Sequence, residues 1–181
     1  KGMKGAVAAA QEIVASDPDK YVLLQQFDNP ANPEIHERTT GAEIWNDTNG
    51  NVDMIIAGVG TGGTITGIGK YLKEKNPAVK IVGVDPVGSL FYDYFHTGQL
   101  TQPHTYMVEG IGEDFLPSTM NFEYVDDVVR VNNKDCFQTT RQLVTLEGLF
   151  CGVSSGAAVA GALRYLGRHD AQGLQAVVLL P

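Results

Sequence analysis

The sequence is short of cysteine, tryptophan and charge, and it contains no long apolar run. Its two cysteines, Cys136 and Cys151, have no spacing suited to a disulfide framework or a zinc site. The four histidines, His36, His96, His104 and His169, lie in unlike contexts, so no metal is expected. No apolar stretch approaches the roughly 20 residues needed to cross a bilayer, and no signal peptide opens the chain. Thirteen basic residues against 21 acidic ones give a net charge of −8. Such a surface repels nucleic-acid phosphates and anionic lipid, so neither is an expected partner. Apolar residues at 43% argue against disorder in a chain of 181 residues. What remains is a globular, cytoplasmic protein.

Glycine is abundant: 21 residues, about 12% against a usual ~7%. The segments between the glycine-rich turns alternate in character. Residues 5–15 place Ala6, Ala9, Ala10, Ile13 and Val14 on one helical face. Tyr21 to Leu24 reads as a short strand, and Asn32-Pro33 as the cap of a helix reaching about Gly41. Met54–Val59, Val79–Val84, Val125–Val131 and Leu174–Leu180 read as strands. Helices are predicted over 62–75, 133–148 and 152–168, with Asn132 and Asp135 capping the second. Residues 86–124 read as irregular and, at that length, functional. The alternation predicts an α/β fold, a three-layer parallel sheet with helices on both faces. Both ends, Lys1-Gly2-Met3-Lys4 and the apolar run to Pro181, read as cuts in a longer chain.

Two turns carry chemistry. Gly58-Val59-Gly60-Thr61-Gly62-Gly63-Thr64 joins a strand to a helix, where several N–H groups and the positive end of the helix dipole converge. Glycines there admit an anion close to the backbone, and Thr61 and Thr64 add hydroxyls. Gly58, Gly60 and Gly63 also fit G-x-G-x-x-G, with Asp85 at the distance of a ribose-binding acid, so a dinucleotide-binding domain is one alternative. The second turn is Gly152-Val153-Ser154-Ser155-Gly156.

Taken together, Thr61-Gly62-Gly63-Thr64 and Gly152 to Ala158, with Gln25 to Pro33, resemble the fold-type II pyridoxal phosphate enzymes of the cysteine synthase and cystathionine β-synthase family. The resemblance covers essentially the whole chain. It implies that Gly60, Thr61, Gly62, Gly63 and Thr64 hold the phosphate of pyridoxal 5'-phosphate, and that Ser154 bonds the pyridine nitrogen. A neutral hydroxyl there leaves the ring a weaker electron sink, which favours replacement at the β-carbon over transamination. Gln26 resembles a residue that meets the substrate carboxylate.

Within the family, Val108-Glu109-Gly110-Ile111-Gly112, continued by Asp114-Phe115 and Pro117, looks like the cystathionine β-synthase pattern, with Glu109 as a proton-exchanging residue and Gly110 and Gly112 beside the substrate. Many such synthases have a tyrosine where this chain has Glu113, which suggests a bacterial-type enzyme. The expected reaction condenses L-serine with homocysteine. Cysteine synthase, using O-acetylserine and sulfide, is the alternative, and a non-catalytic partner on the same fold is a third reading.

The family's cofactor-linking lysine has no counterpart in context here. The chain therefore resembles the tail of the small domain (1–25) and most of the large domain (26–181), inactive without the missing N-terminal half. The resemblance also implies a homodimer.

Overall fold

The structure, a computed structural model, describes residues 2–181. Helix α1 (Gly2–Ser16) leads through an extended stretch to α2 (Ala31–Arg38) and α3 (Thr40–Asp47). Then β1 (Met54–Gly58), α4 (Gly63–Lys75), β2 (Lys80–Pro86), α5 (Phe91–Thr97) and β3 (Asp127–Val131) follow. The chain closes with α6 (Asn133–Glu147), α7 (Val153–Leu166) and β4 (Ala176–Val178). The four strands form one parallel sheet in the order β3-β2-β1-β4.

The strands are apolar at consecutive positions because both faces are covered. Ile56, Val82, Val84, Val129 and Val131 pack with Ala157 and Ala160 of α7 and with Cys136 of α6. Ile55, Ile81 and Val128 turn the other way, against Ile65, Ile68 and Leu72 of α4 and Phe91 of α5. Each fully buried side chain of this kind contributes about 1.5–3 kcal/mol. The α/β fold with a parallel sheet and helices on both faces is as the alternation implied.

Register positions the functional end. Ile56 lies opposite Val82 of β2 and Val178 of β4, so β1 is central. From β1 the chain builds one way through β2 and β3, then returns to the other edge at β4. That reversal opens a crevice beyond the carboxyl ends of β1 and β4, where parallel sheets bind ligands.

Several local expectations shift. Tyr21 to Leu24 is not a strand; no partner strand runs beside it among the described residues, and Val22 and Leu24 are exposed. The helix expected from Asn32 begins at Ala31, with no side-chain cap, and breaks at Thr39 into α2 and α3. Asn29, not Asn32, makes the entering turn, its Oδ1 accepting the N–H of Ala31 at 3.0 Å. Strand β2 runs on through Asp85 and Pro86 because β3 pairs alongside both. The irregular segment contains α5 and a single 3-10 turn at Phe122–Tyr124. Asn132 does cap α6, accepting the N–H of Asp135 at 2.9 Å.

Helix α7 lies very close to the sheet. A Cβ on Gly161 would overlap the methyls of Val84. Alanine gains up to about 1 kcal/mol over glycine in a free helix, while overpacking costs about 1–3 kcal/mol. Gly161→Ala is therefore expected to destabilise, read as a lower denaturant midpoint at unchanged m-value; a higher midpoint would contradict this packing.

Candidate functional site

A cavity of about 980 Å³ occupies the crevice. Its floor is the turn from Gly58 to Ile65, one wall is the segment Pro103–Asp114, and Leu179, Leu180 and Pro181 close the β4 side. Gln26 reaches it from the loop before α2.

The β1–α4 turn is shaped by its neighbours. Gly62 is left-handed at φ +79°, a conformation costly for any other residue. A Cβ on Gly58 would press Ile111, one on Gly60 would stand 3.0 Å from the Gly110 carbonyl, and one on Gly63 would overlap Asn32. The glycines are therefore required by converging protein walls, a different reason from the ligand approach inferred from sequence. The result still suits an anion. The N–H groups of Gly60, Thr61, Gly62, Thr64 and Ile65 have no acceptor among the described residues. They gather at the N-terminus of a 13-residue helix, whose dipole favours negative charge.

Hydroxyls complete the cradle. Thr61 Oγ1 accepts from Asn32 Nδ2 at 3.0 Å and from the Gly63 N–H at 3.3 Å, which leaves its own proton to donate outward. Asn32 is held in turn by the Gln26 carbonyl at 2.7 Å. Thr64 Oγ1 pairs with His36 Nε2 at 3.1 Å, and His36 Nδ1 with Thr40 Oγ1 at 2.9 Å. Burial lowers the His36 pKa, which favours the neutral ring. With Nδ1 accepting from Thr40, Nε2–H donates to Thr64 and frees that hydroxyl for an anion. From the other side, Thr119 Oγ1 donates to the Thr61 carbonyl at 2.7 Å.

The residues expected from sequence mostly meet here. Gln26, Gly60, Thr61, Gly62, Thr64, Glu109, Gly110 and Gly112 border the cavity. Gly63 lies beneath it against Asn32. Ser154 stands in the first turn of α7 beside the wall, its Oγ 3.8 Å from where a Gly110 Cβ would be, and its hydroxyl has no partner among the described residues. Ser155 is instead fully buried and donates to the Pro181 carbonyl at 2.9 Å. From the sequence Asn32 reads as a helix cap and His36 as an isolated histidine, and nothing marks Thr119. Their partners lie 28 to 58 residues away, and no local pattern signals such contacts.

Asp85 is not a ribose ligand. It is fully buried, and its carboxylate accepts the Tyr92 N–H at 2.9 Å. Burial pushes its pKa up to about 6, and Oδ1 is left without a partner among the described residues. The dinucleotide reading fails on this geometry.

Fold and site thus define an α/β domain with an anion cradle at the head of a helix and a roomy cavity beside it. Five N–H groups without acceptors among the described residues and two hydroxyls fit a terminal phosphate. Over residues 1–181 the chain matches the family described as pyridoxal-phosphate dependent enzyme, and it belongs to that family. It is 48% identical over 183 residues to cysteine synthase A of Escherichia coli, covering 100% of this chain and 57% of that protein. Cysteine synthase of Haemophilus influenzae is 46% identical over 182 residues, covering 100% and 58%. Among solved structures, O-acetylserine sulfhydrylase isoform 3 of Entamoeba histolytica superposes with a TM-score of 0.89 at 37% identity, over 99% of this chain and 52% of that one. The chain spans a little over half the length of the curated relatives it matches.

These relatives overturn the expected cystathionine β-synthase. That reading rested on Glu109, which is exposed and makes no hydrogen bond among the described residues. One unconstrained loop carboxylate is a weak discriminator beside similarity along the whole chain.

Two outcomes test the site. Asn32→Ala is expected to weaken pyridoxal phosphate binding by the full-length protein about 3–10-fold, the equivalent of a lost hydrogen bond or so, in a cofactor titration. Unchanged affinity would remove Asn32 from the cradle's support. Asp85 is harder to ionise folded than unfolded, so its contribution is fully present below its unfolded pKa and lost as pH rises to about 6. The stability of Asp85→Asn relative to the parent is therefore expected to rise across about pH 4–6 and then level off in urea denaturation. A difference independent of pH would contradict the buried acid.

Proposed function

We propose that the protein containing this chain is a pyridoxal phosphate-dependent cysteine synthase, which replaces the acetate of O-acetylserine with sulfide to give cysteine. The observation that carries the reading is the 48% identity to cysteine synthase A of Escherichia coli along the entire chain. The free N–H groups of the β1–α4 turn support it.

When bound, the cofactor supplies the electron sink that makes the β-carbon of the amino acid reactive. This chain's own residues anchor and orient. Gly60, Thr61, Gly62, Gly63 and Thr64 would hold the phosphate, through backbone N–H groups and the hydroxyls that Asn32 and His36 aim. Ser154 would bond the pyridine nitrogen with a neutral hydroxyl and so keep the chemistry at the β-carbon. Gln26 and the backbone around Gly110 and Gly112 would flank the substrate. Glu109 faces the same cavity without a fixed partner and is left no role in this reaction.

No lysine borders the cavity among the described residues. The covalent hold on the cofactor, and the proton it moves, therefore belong in this reading to a lysine beyond this chain. The 181 residues alone are expected to make no cysteine. The same reading makes residues 1–25 part of the smaller domain and 26–181 most of the larger one, in a cytoplasmic homodimer acting on small amino-acid substrates. Among the described residues no helix is long and apolar enough to cross a membrane.

The test is to supply the full-length holoenzyme with O-acetylserine and sulfide, and separately with L-serine and homocysteine. Cysteine is expected from the first pair, with the visible cofactor band shifting on O-acetylserine alone. Cystathionine from the second pair without cysteine from the first would overturn the proposal.

A further inference from the structure

Glu113 is a carboxylic acid without a counterpart. Its residue is only 6% exposed, yet it borders the cavity. Its backbone N–H donates to Ser89 Oγ at 3.0 Å, three residues beyond the end of β2. Its side chain makes no hydrogen bond and no ion pair among the described residues. Its carboxyl group is therefore left to meet whatever enters the cavity.

The groups facing it are mostly of one kind. Asp114 and Glu109 stand on its own segment, Tyr106 lies close by, and Asp85 follows on β2. Arg130 of β3 is committed to Asp93 and to the ring of Tyr92. From α1, Lys4 meets Asp114 through its backbone N–H, at 3.2 Å. His104 also borders the cavity. Burial first, then the charge of Asp114, pushes the Glu113 acid up to about 7, so near neutrality it is a mixture of donor and anion. Tyr106 is pushed up to about 12, mainly by burial, and stays a neutral phenol throughout.

We propose that Glu113 governs which small anions the cavity accepts: protonated, it donates a hydrogen bond to a small monovalent anion, and ionised, it repels the same anion. This rests on the cysteine synthase reading for its physiological ligands, because both the entering hydrosulfide and the departing acetate are anions of that class. Nothing in the proposal requires a bond to form or break at Glu113. Its proton goes to solvent as the pH rises.

The experiment uses the full-length holoenzyme and acetate, which is ionised throughout the working range. Acetate affinity is measured by calorimetry at about pH 6 and about pH 8.5. The parent is expected to lose about fivefold or more in affinity across that interval, as like charge builds up in the cavity. Glu113→Gln, which keeps a donor and never ionises, is expected to change less than about twofold. Should that variant lose its cofactor band, Glu113→Asp serves instead, with its loss of affinity displaced to lower pH.

Equal pH dependence in parent and Glu113→Gln overturns the proposal. The two anions are then separated by kcat/KM for sulfide. A variant-to-parent ratio that rises with pH extends the effect to hydrosulfide, and a flat ratio confines it to acetate. If no cysteine forms at any pH, the functional reading falls while the acetate measurement still decides the role of Glu113.

Discussion

The structure depends on a group of backbone donors that find no acceptor among the described residues. At the β1–α4 turn, Gly60, Thr61, Gly62, Thr64 and Ile65 hold their N–H groups free at a helix N-terminus. Buried or half-buried donors are almost always paired in folded proteins. Here the turn is braced instead from three sides: Asn32 from α2, Met120 and Thr119 from the segment before β3, and the Gly110 carbonyl from the cavity wall. That bracing keeps the donors pointed at one place before any anion arrives. Preorganised donors bind an anion without the cost of gathering them at the moment of binding.

The sheet supplies the position. Strand β1 is the interior strand at which the order reverses, and its apolar residues are buried on both faces, so the turn that follows is carried by the packed core. Helix α7, small enough at Gly161 to lie against Val84, brings Ser154 close to Gly110 of the cavity wall. The wall between them carries acids of two kinds. Glu109 is exposed and makes no hydrogen bond among the described residues, whereas Glu113 is buried and its backbone N–H is held by Ser89. Only the second is built into the fold.

Much of this was legible in the sequence, for local reasons. Apolar runs such as Met54-Ile55-Ile56-Ala57 announce strands covered on both faces. Glycine-threonine turns between a strand and a helix announce an anion site, and Asn132 with Asp135 announces a helix start. What was not legible lies in contacts distant along the chain. Asn32 reads as a helix cap but bonds Thr61, and His36 looks isolated until it meets Thr64 and Thr40. Tyr21 to Leu24 has strand-like residues but no strand to pair with among the described residues. Glu109 misled the reading of the reaction because its motif neighbours, Ile111 and Gly112, are held by packing while the glutamate is not.

The central claim is that the free donors of the β1–α4 turn are the seat of the cofactor phosphate. A crystal structure of the full-length protein with pyridoxal phosphate tests it most directly. The account places phosphate oxygens about 2.7–3.2 Å from the N–H nitrogens of that turn, with the Thr61 and Thr64 hydroxyls joining them. A phosphate bound elsewhere, with those N–H groups still free or turned to protein acceptors, would contradict it.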